Sequence, residues 1–128
     1  MGYFYGYNRV STKEQHLDRG REQIERFCRE HGYALERIFE DKQTGRQFDR
    51  PRYVVLKEDV LRPGDTLIIP EYDRLGRADQ TKKELEYFKG KNIRVVFLDI
   101  PTTYMDYSSL NDGMAKMVME CVNNMLIE

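Results

Sequence analysis

The run Thr66-Leu67-Ile68-Ile69-Pro70 constrains the fold more than any other stretch of this chain. It is continuously apolar and is bounded by the Pro63-Gly64-Asp65 turn and the polar Glu71-Tyr72-Asp73. Such a run is expected as a strand covered on both faces, the situation of a central strand in a parallel sheet. The flanking segments fit that frame. Tyr3 to Val10 is apolar and aromatic and is expected as a first strand. Leu17, Ile24, Phe27 and Cys28 recur at helical spacing, and Gly32 provides the stop. Residues 34–42 alternate Leu35 and Ile38 with charges, predicting a short second strand before the polar stretch 43–51. Residues 52–65 predict a helix with Val54, Val55, Val60 and Leu61 inward. Residues 79–92 predict a charged helix carrying Leu85 and Phe88, and Ile93 to Ile100 another strand. The alternation predicts an α/β fold with a mostly parallel central sheet of four to five strands and helices on both faces. In such sheets reactive groups gather at the carboxyl ends of the strands, where Ser11, Arg50 and the segment after Pro70 emerge.

Residues 109–128 differ in character. Met114, Met117, Val118, Cys121, Val122, Met125 and Leu126 form one helical stripe. That stripe suits either an ordinary core helix or, given its methionines, a helix that packs against another subunit. At 128 residues with 40% hydrophobic content, one compact domain is expected. Cys28 and Cys121 stand far apart, with no C-x-x-C or Cys/His cluster, so neither a disulfide framework nor a zinc site is suggested. No apolar run approaches the roughly 18 residues of a membrane span, and the amino terminus resembles no signal peptide. A soluble, cytoplasmic protein is expected. It begins Met-Gly but has Gly6 where a myristoylation signal carries Ser or Thr. With 21 Lys and Arg against 22 Asp and Glu the net charge is −1, so any phosphate site has to be local.

Ser11 is the candidate of most interest, and it has two readings. Ser11 with Glu14, and Thr12 with Gln15, fit the S-x-x-E/Q capping box of a helix start. A nucleophile just past a strand fits the same letters. Arginine is concentrated around the expected strand ends: Arg9, Arg50, and Arg74 and Arg77 beside Asp73 in Glu-Tyr-Asp-Arg-Leu-Gly-Arg. Guanidinium is planar, permanently charged and bidentate toward phosphate, so a converging set suits a phosphodiester and the extra charge of its transition state. Other chemistries fit less well. His16 and His31 lack metal-ligand spacing, and there is no G-x-x-x-x-G-K-[ST] nucleotide loop. His16, the histidine nearest Ser11, falls where the first helix begins and has no evident orienting acid.

Tyr7-Asn-Arg-Val-Ser-Thr-Lys-Glu-Gln15, Asp49-Arg-Pro51 and Gly64-Asp-Thr-Leu-Ile-Ile-Pro-Glu-Tyr-Asp-Arg-Leu-Gly-Arg77 occur in the order and spacing of the catalytic domain of the serine recombinases. The chain resembles this resolvase and DNA-invertase family over nearly its whole length. The resemblance implies a serine that attacks a DNA phosphodiester, forming a 5′-phosphoserine link and releasing a 3′-hydroxyl, without metal, nucleotide or other cofactor. It implies Ser11 as nucleophile, with Arg9 and Arg50 as phosphate ligands and Arg9 also helping to deprotonate the serine. Arg74 and Arg77 would stabilise the transition state, and Asp73 would organise them or protonate the leaving oxygen. Gln15 and Asp65 would be supporting residues. The chain departs from the family pattern at Gly20, where a glutamine is frequent, and at Tyr72. It also departs in a second helix about one residue longer than usual, with Lys57 the nearest candidate for a basic residue there.

The same resemblance divides the chain into a catalytic core over 1–108 and the start of a dimerisation helix over 109–128. A separate DNA-binding domain is expected outside this chain. Double-stranded DNA is the implied partner, with a homodimer or homotetramer in the longer protein and no membrane. Two further function classes fit parts of the pattern: a non-catalytic oligomerisation or DNA-architecture module of the same fold, motivated by Gly20, and a small serine phosphoesterase acting on soluble esters.

Overall fold

The computed structural model describes residues 2–11, 17–43, 50–72 and 78–104. Four strands, β1 (Phe4–Ser11), β2 (Leu35–Gln43), β3 (Thr66–Ile69) and β4 (Arg94–Phe97), form one sheet in the order β2-β1-β3-β4. Every pairing is parallel, with Phe4 level with both Leu35 and Thr66, and Thr66 level with Arg94. Three helices connect the strands: α1 (Leu17–His31), α2 (Pro51–Val55) and α3 (Ala78–Gly90). The expected helix over 109–128 lies outside the described residues.

Period-two alternation assigns each strand residue to a face. Tyr7 of β1, Phe39 of β2, Leu67 and Ile69 of β3 and Phe97 of β4 pack with Tyr53, Leu56 and Phe88, the side of α2 and α3. Ile68 and Val96, with Phe4 and Ile38 at the margin, pack with Ile24, Phe27 and Cys28 of α1. Helices therefore cover both faces, and β3, buried at all four positions, is the doubly covered strand that its composition required.

Helices α1 and α3 end by the same device. Gly32, at φ 71°, lets Tyr33 N–H reach the Cys28 carbonyl at 2.8 Å, closing a Schellman motif. Asn92, at φ 59°, does the same for α3, with Ile93 N–H on the Phe88 carbonyl at 2.8 Å. In each case the chain turns back into a strand with an aromatic or aliphatic side chain facing inward.

Helix α2 departs from its predicted face. After Val55 the chain opens into a π-helical turn, Leu56–Val60, closed by Leu61 N–H on the Leu56 carbonyl at 2.8 Å. A π-turn takes up one residue more than an α-turn, which is how the longer second helix is accommodated. Tyr53 and Leu56 are the buried pair, while Val54 and Val55, expected inward, are 47% and 42% exposed. The physical reason is at the helix start: the Tyr53 N–H is bonded to a buried carboxylate, which turns Tyr53 to the sheet and its two β-branched neighbours away.

Candidate active site

Parallel pairing carries Arg9 and Ser11 to the carboxyl end of β1, level with Asp41 and Gln43 of β2. Arg9 lies two residues after Tyr7 and so shares the face of α2 and α3. The backbone of Ser11 is the last position of β1; its side chain lies outside the described residues, as do Gln15, Asp73, Arg74 and Arg77.

Arg50 reaches this region from the start of α2. It is the N-cap residue, with Pro51 in the first turn, and its own side chain makes no cap. The cap comes from across the sheet instead. Asp41, 4% exposed, accepts from Arg52 N–H on Oδ1 and from Tyr53 N–H on Oδ2, both at 3.0 Å. Its Oδ2 also accepts from the Tyr7 hydroxyl at 3.0 Å. One buried carboxylate thus satisfies two otherwise orphaned helix donors and a buried phenol, and fixes where Arg50 begins its helix. The Arg50 guanidinium lies over the Tyr53 ring, 4.8 Å from its centroid.

The charges around the buried phenols have a common pattern. Burial raises the Tyr7 hydroxyl pKa well above the usual tyrosine range, and the charge and hydrogen bond of Asp41 add to this. Arg50 and Arg9 both act on the same hydroxyl in the opposite direction. Tyr53 is raised in the same way, by burial first and then by its hydrogen bond to Glu84 and that group's charge, with Arg50 again opposing. Both phenols remain protonated donors at neutral pH, so neither acts as a general base. Burial also pushes the Cys28 thiol up to about 11, which keeps it protonated at neutral pH.

Four other residues singled out from the sequence are placed. Asp65 precedes β3 at the amino end of the sheet, where its carboxylate accepts from Tyr3 N–H and Arg62 N–H at 2.9 Å each. Tyr3 is eight positions from Ser11, roughly 25 Å along a strand, so Asp65 organises a turn and is not brought to the site. Lys57 ion-pairs with Glu84 at 3.0 Å and lies over the Tyr87 ring at 4.5 Å, on the flank between α2 and α3. Gly20 lets α1 approach β1: a Cβ there would stand within 2.6 Å of the buried Asn8 amide. The family departure at Gly20 therefore has a packing reason. Tyr72 N–H donates to Asp99 Oδ1 at 3.2 Å, which ties the chain after β3 to the end of β4 just before Asp73.

Asp41, Tyr7 and Tyr53 form the support that sequence reasoning missed. The available signal was an arginine preceding Pro51 with no capping side chain of its own, so that a capping acceptor had to come from elsewhere. Asp49, adjacent in sequence, hides the distant donor of that role. Among the described residues no group of three or more His, Cys, Asp or Glu is gathered to hold a metal ion, and no helix is long and apolar enough to cross a membrane. What this region offers is two guanidiniums, Arg9 on β1 and Arg50 over the Tyr53 ring, around a carboxylate whose acceptor oxygens are already engaged, a set suited to an anionic, planar or tetrahedral oxyanion group.

Comparison with known proteins gives concordant matches. The family model described as the resolvase N-terminal domain matches residues 4–128. A resolvase of Escherichia coli is 32% identical over 127 residues, covering 95% of this chain and 55% of the relative. The R46 site-specific recombinase of Escherichia coli is 37% identical over 117 residues, covering 90% of this chain and 55% of that protein. The chain thus spans little more than half the length of these relatives. Among solved structures, the N-terminal catalytic domain of TP901-1 integrase superposes with a TM-score of 0.65 at 19% identity, covering 96% of this chain and 95% of that one. A resolvase family site-specific recombinase from Streptococcus pneumoniae gives 0.64 at 17% identity, over 98% and 87%. At these identities the structural matches establish the four-stranded α/β fold.

Proposed function

Because this chain belongs to the resolvase N-terminal domain family, we propose that it carries the strand-cleaving and rejoining chemistry of a site-specific DNA recombinase, with Ser11 as nucleophile. The Ser11 oxygen loses its proton and attacks the phosphorus of a DNA phosphodiester. A serine–phosphate bond forms at the 5′ side, the bond to the 3′ oxygen breaks, and that oxygen leaves as a hydroxyl after taking up a proton. Rejoining is the reverse attack by a 3′-hydroxyl. The phosphoserine ester keeps the energy of the broken diester, so the cycle needs no metal or nucleotide.

The observation that supports this most is that parallel pairing sets Arg9 near the carboxyl end of β1, level with Asp41, the carboxylate that caps the helix beginning at Arg50. Fixed cations at that place lower the cost of a serine alkoxide and of the doubly charged phosphorane. In this reading Arg9 and Arg50 hold the phosphate oxygens. Arg74 and Arg77 stabilise the transition state, Asp73 orders them or protonates the leaving oxygen, and Gln15 supports the nucleophile's helix start. The partner is double-stranded DNA in the cytoplasm. The 109–128 helix joins subunits into a dimer or tetramer, and most of the DNA affinity comes from a region outside this chain.

The test is a denaturing gel with protein carrying this chain and a DNA-binding region, incubated with its site. Wild type is expected to give a covalent protein–DNA adduct, Ser11→Ala none, and Arg50→Ala at least about 100-fold less, as for loss of one transition-state donor. An adduct that persists in Ser11→Ala contradicts the assignment.

A further inference from the structure

A phenol and a carboxylate outside the motif residues connect Arg50 to α3. The Tyr53 hydroxyl donates to Glu84 Oε1, and Lys57 Nζ donates to Glu84 Oε2 at 3.0 Å. Glu84 is partly buried, its side chain 17% exposed, and Tyr53 is buried. The Tyr53 ring is therefore held at both ends: its backbone N–H on Asp41 and its hydroxyl on Glu84. On the face of that ring lies the Arg50 guanidinium.

We propose that Glu84 is a positioning residue for Arg50, acting through the Tyr53 ring, and that it couples the start of α2 to α3. The proposal rests on the reading of Arg50 as a phosphate ligand. A cation is attracted to an aromatic face by the ring's electron density, and a phenol that donates to a carboxylate is richer in density than a free one. The ring's orientation also sets the plane in which the guanidinium lies. Without Glu84 the hydroxyl loses its acceptor, and the ring is held by its backbone bond and by packing against Tyr7, so that its plane shifts under the guanidinium. Lys57 neutralises the carboxylate, so Glu84 holds Tyr53 without adding net negative charge beside a phosphate site. Because α3 begins at Ala78, directly after the segment bearing Arg74 and Arg77, the Glu84 tie links the element that carries Arg50 to the helix that follows those arginines.

Two readouts test this. In NMR of this chain, the Arg50 Nε–Hε signal is expected upfield in wild type from the ring current of Tyr53. Glu84→Ala should return it to the position of solvent-exposed arginines, and Glu84→Gln, which keeps an acceptor, should restore most of the shift. In protein with its DNA site, Glu84→Ala should slow cleavage at saturating DNA roughly tenfold, the loss of one hydrogen bond to a charged group. DNA affinity should be unchanged, and Glu84→Gln should recover most of the rate. Should Glu84→Ala not fold, Tyr53→Phe keeps the ring, removes the tie and gives the same two readouts. An Arg50 signal that does not move overturns the proposal. So does a signal that moves while cleavage stays at the wild-type rate. If wild type itself forms no Ser11 adduct, the recombinase reading fails and takes the catalytic half of this one with it, whereas the NMR arm still decides the tie.

Discussion

On the α1 side of the sheet, Ile24, Phe27 and Cys28 meet Ile68 and Val96 in an apolar cluster. The α2 and α3 side is also closed by large apolar residues, but buried polar groups run through it: Tyr7 on Asp41, Asp41 on the start of α2, Tyr53 on Glu84. Burying a carboxylate and two phenols contributes little net stability even when each is satisfied, and costs heavily when one partner is removed. The first face is built mainly for packing, with Asn8 as the buried polar side chain set against Gly20. The second uses hydrogen bonds whose geometry fixes the start of α2 and the Tyr53 ring beneath Arg50.

That contrast can be broken by one substitution on each side. Ile24→Ala, at a fully buried position, is expected to lower the unfolding free energy by about 3 kcal/mol in urea titration. DNA cleavage by the folded fraction should be unchanged. Asp41→Asn keeps one acceptor oxygen but brings an NH2 group against backbone N–H donors; a loss of about 2 kcal/mol is expected. Here cleavage should fall as well, because Arg50 loses its fixed start. Equal effects of the two variants on cleavage per folded molecule would remove the distinction between the faces.

Alkaline pH sharpens it further. Tyr7 and Tyr53 are both raised in the folded protein, so the folded state keeps protons that the unfolded chain releases above pH 10. Their contribution is present below pH 10 and is lost as pH rises beyond it, by about 1.4 kcal/mol per pH unit for each phenol. Tyr7→Phe should remove one share of that slope, measured from urea titrations at pH 9 to 11. An unchanged slope would contradict the buried hydrogen-bonded state of Tyr7. The smallest effect is expected at Val54 and Val55, where Val55→Ser should change stability by less than about 0.5 kcal/mol. A loss above about 2 kcal/mol would mean that this residue faces inward after all.

Much of the fold was legible because β3 permits only one environment and because Gly32 ends α1 where helical spacing ends. The inward face of α2 was not, since two features outside its local pattern set it: a cap from β2 and a π-turn after Val55. At the site, the motif residues were legible as letters, and Arg9 stands level with the carboxylate that caps the helix beginning at Arg50. Asp65 was misassigned because an acidic residue before a strand looks the same whether it serves the turn or a ligand. Asp41, Tyr7 and Tyr53 carried no local signal, since a strand position does not reveal which distant helix it caps.

The most direct test of the account is to find where the DNA is attached. The covalent complex formed with its site is digested with protease and nuclease, and the modified peptide is sequenced by mass spectrometry. The account predicts a nucleotide 5′-phosphate on Ser11, in the peptide Val-Ser-Thr-Lys. Attachment at any other residue, with Ser11 recovered unmodified, would contradict it.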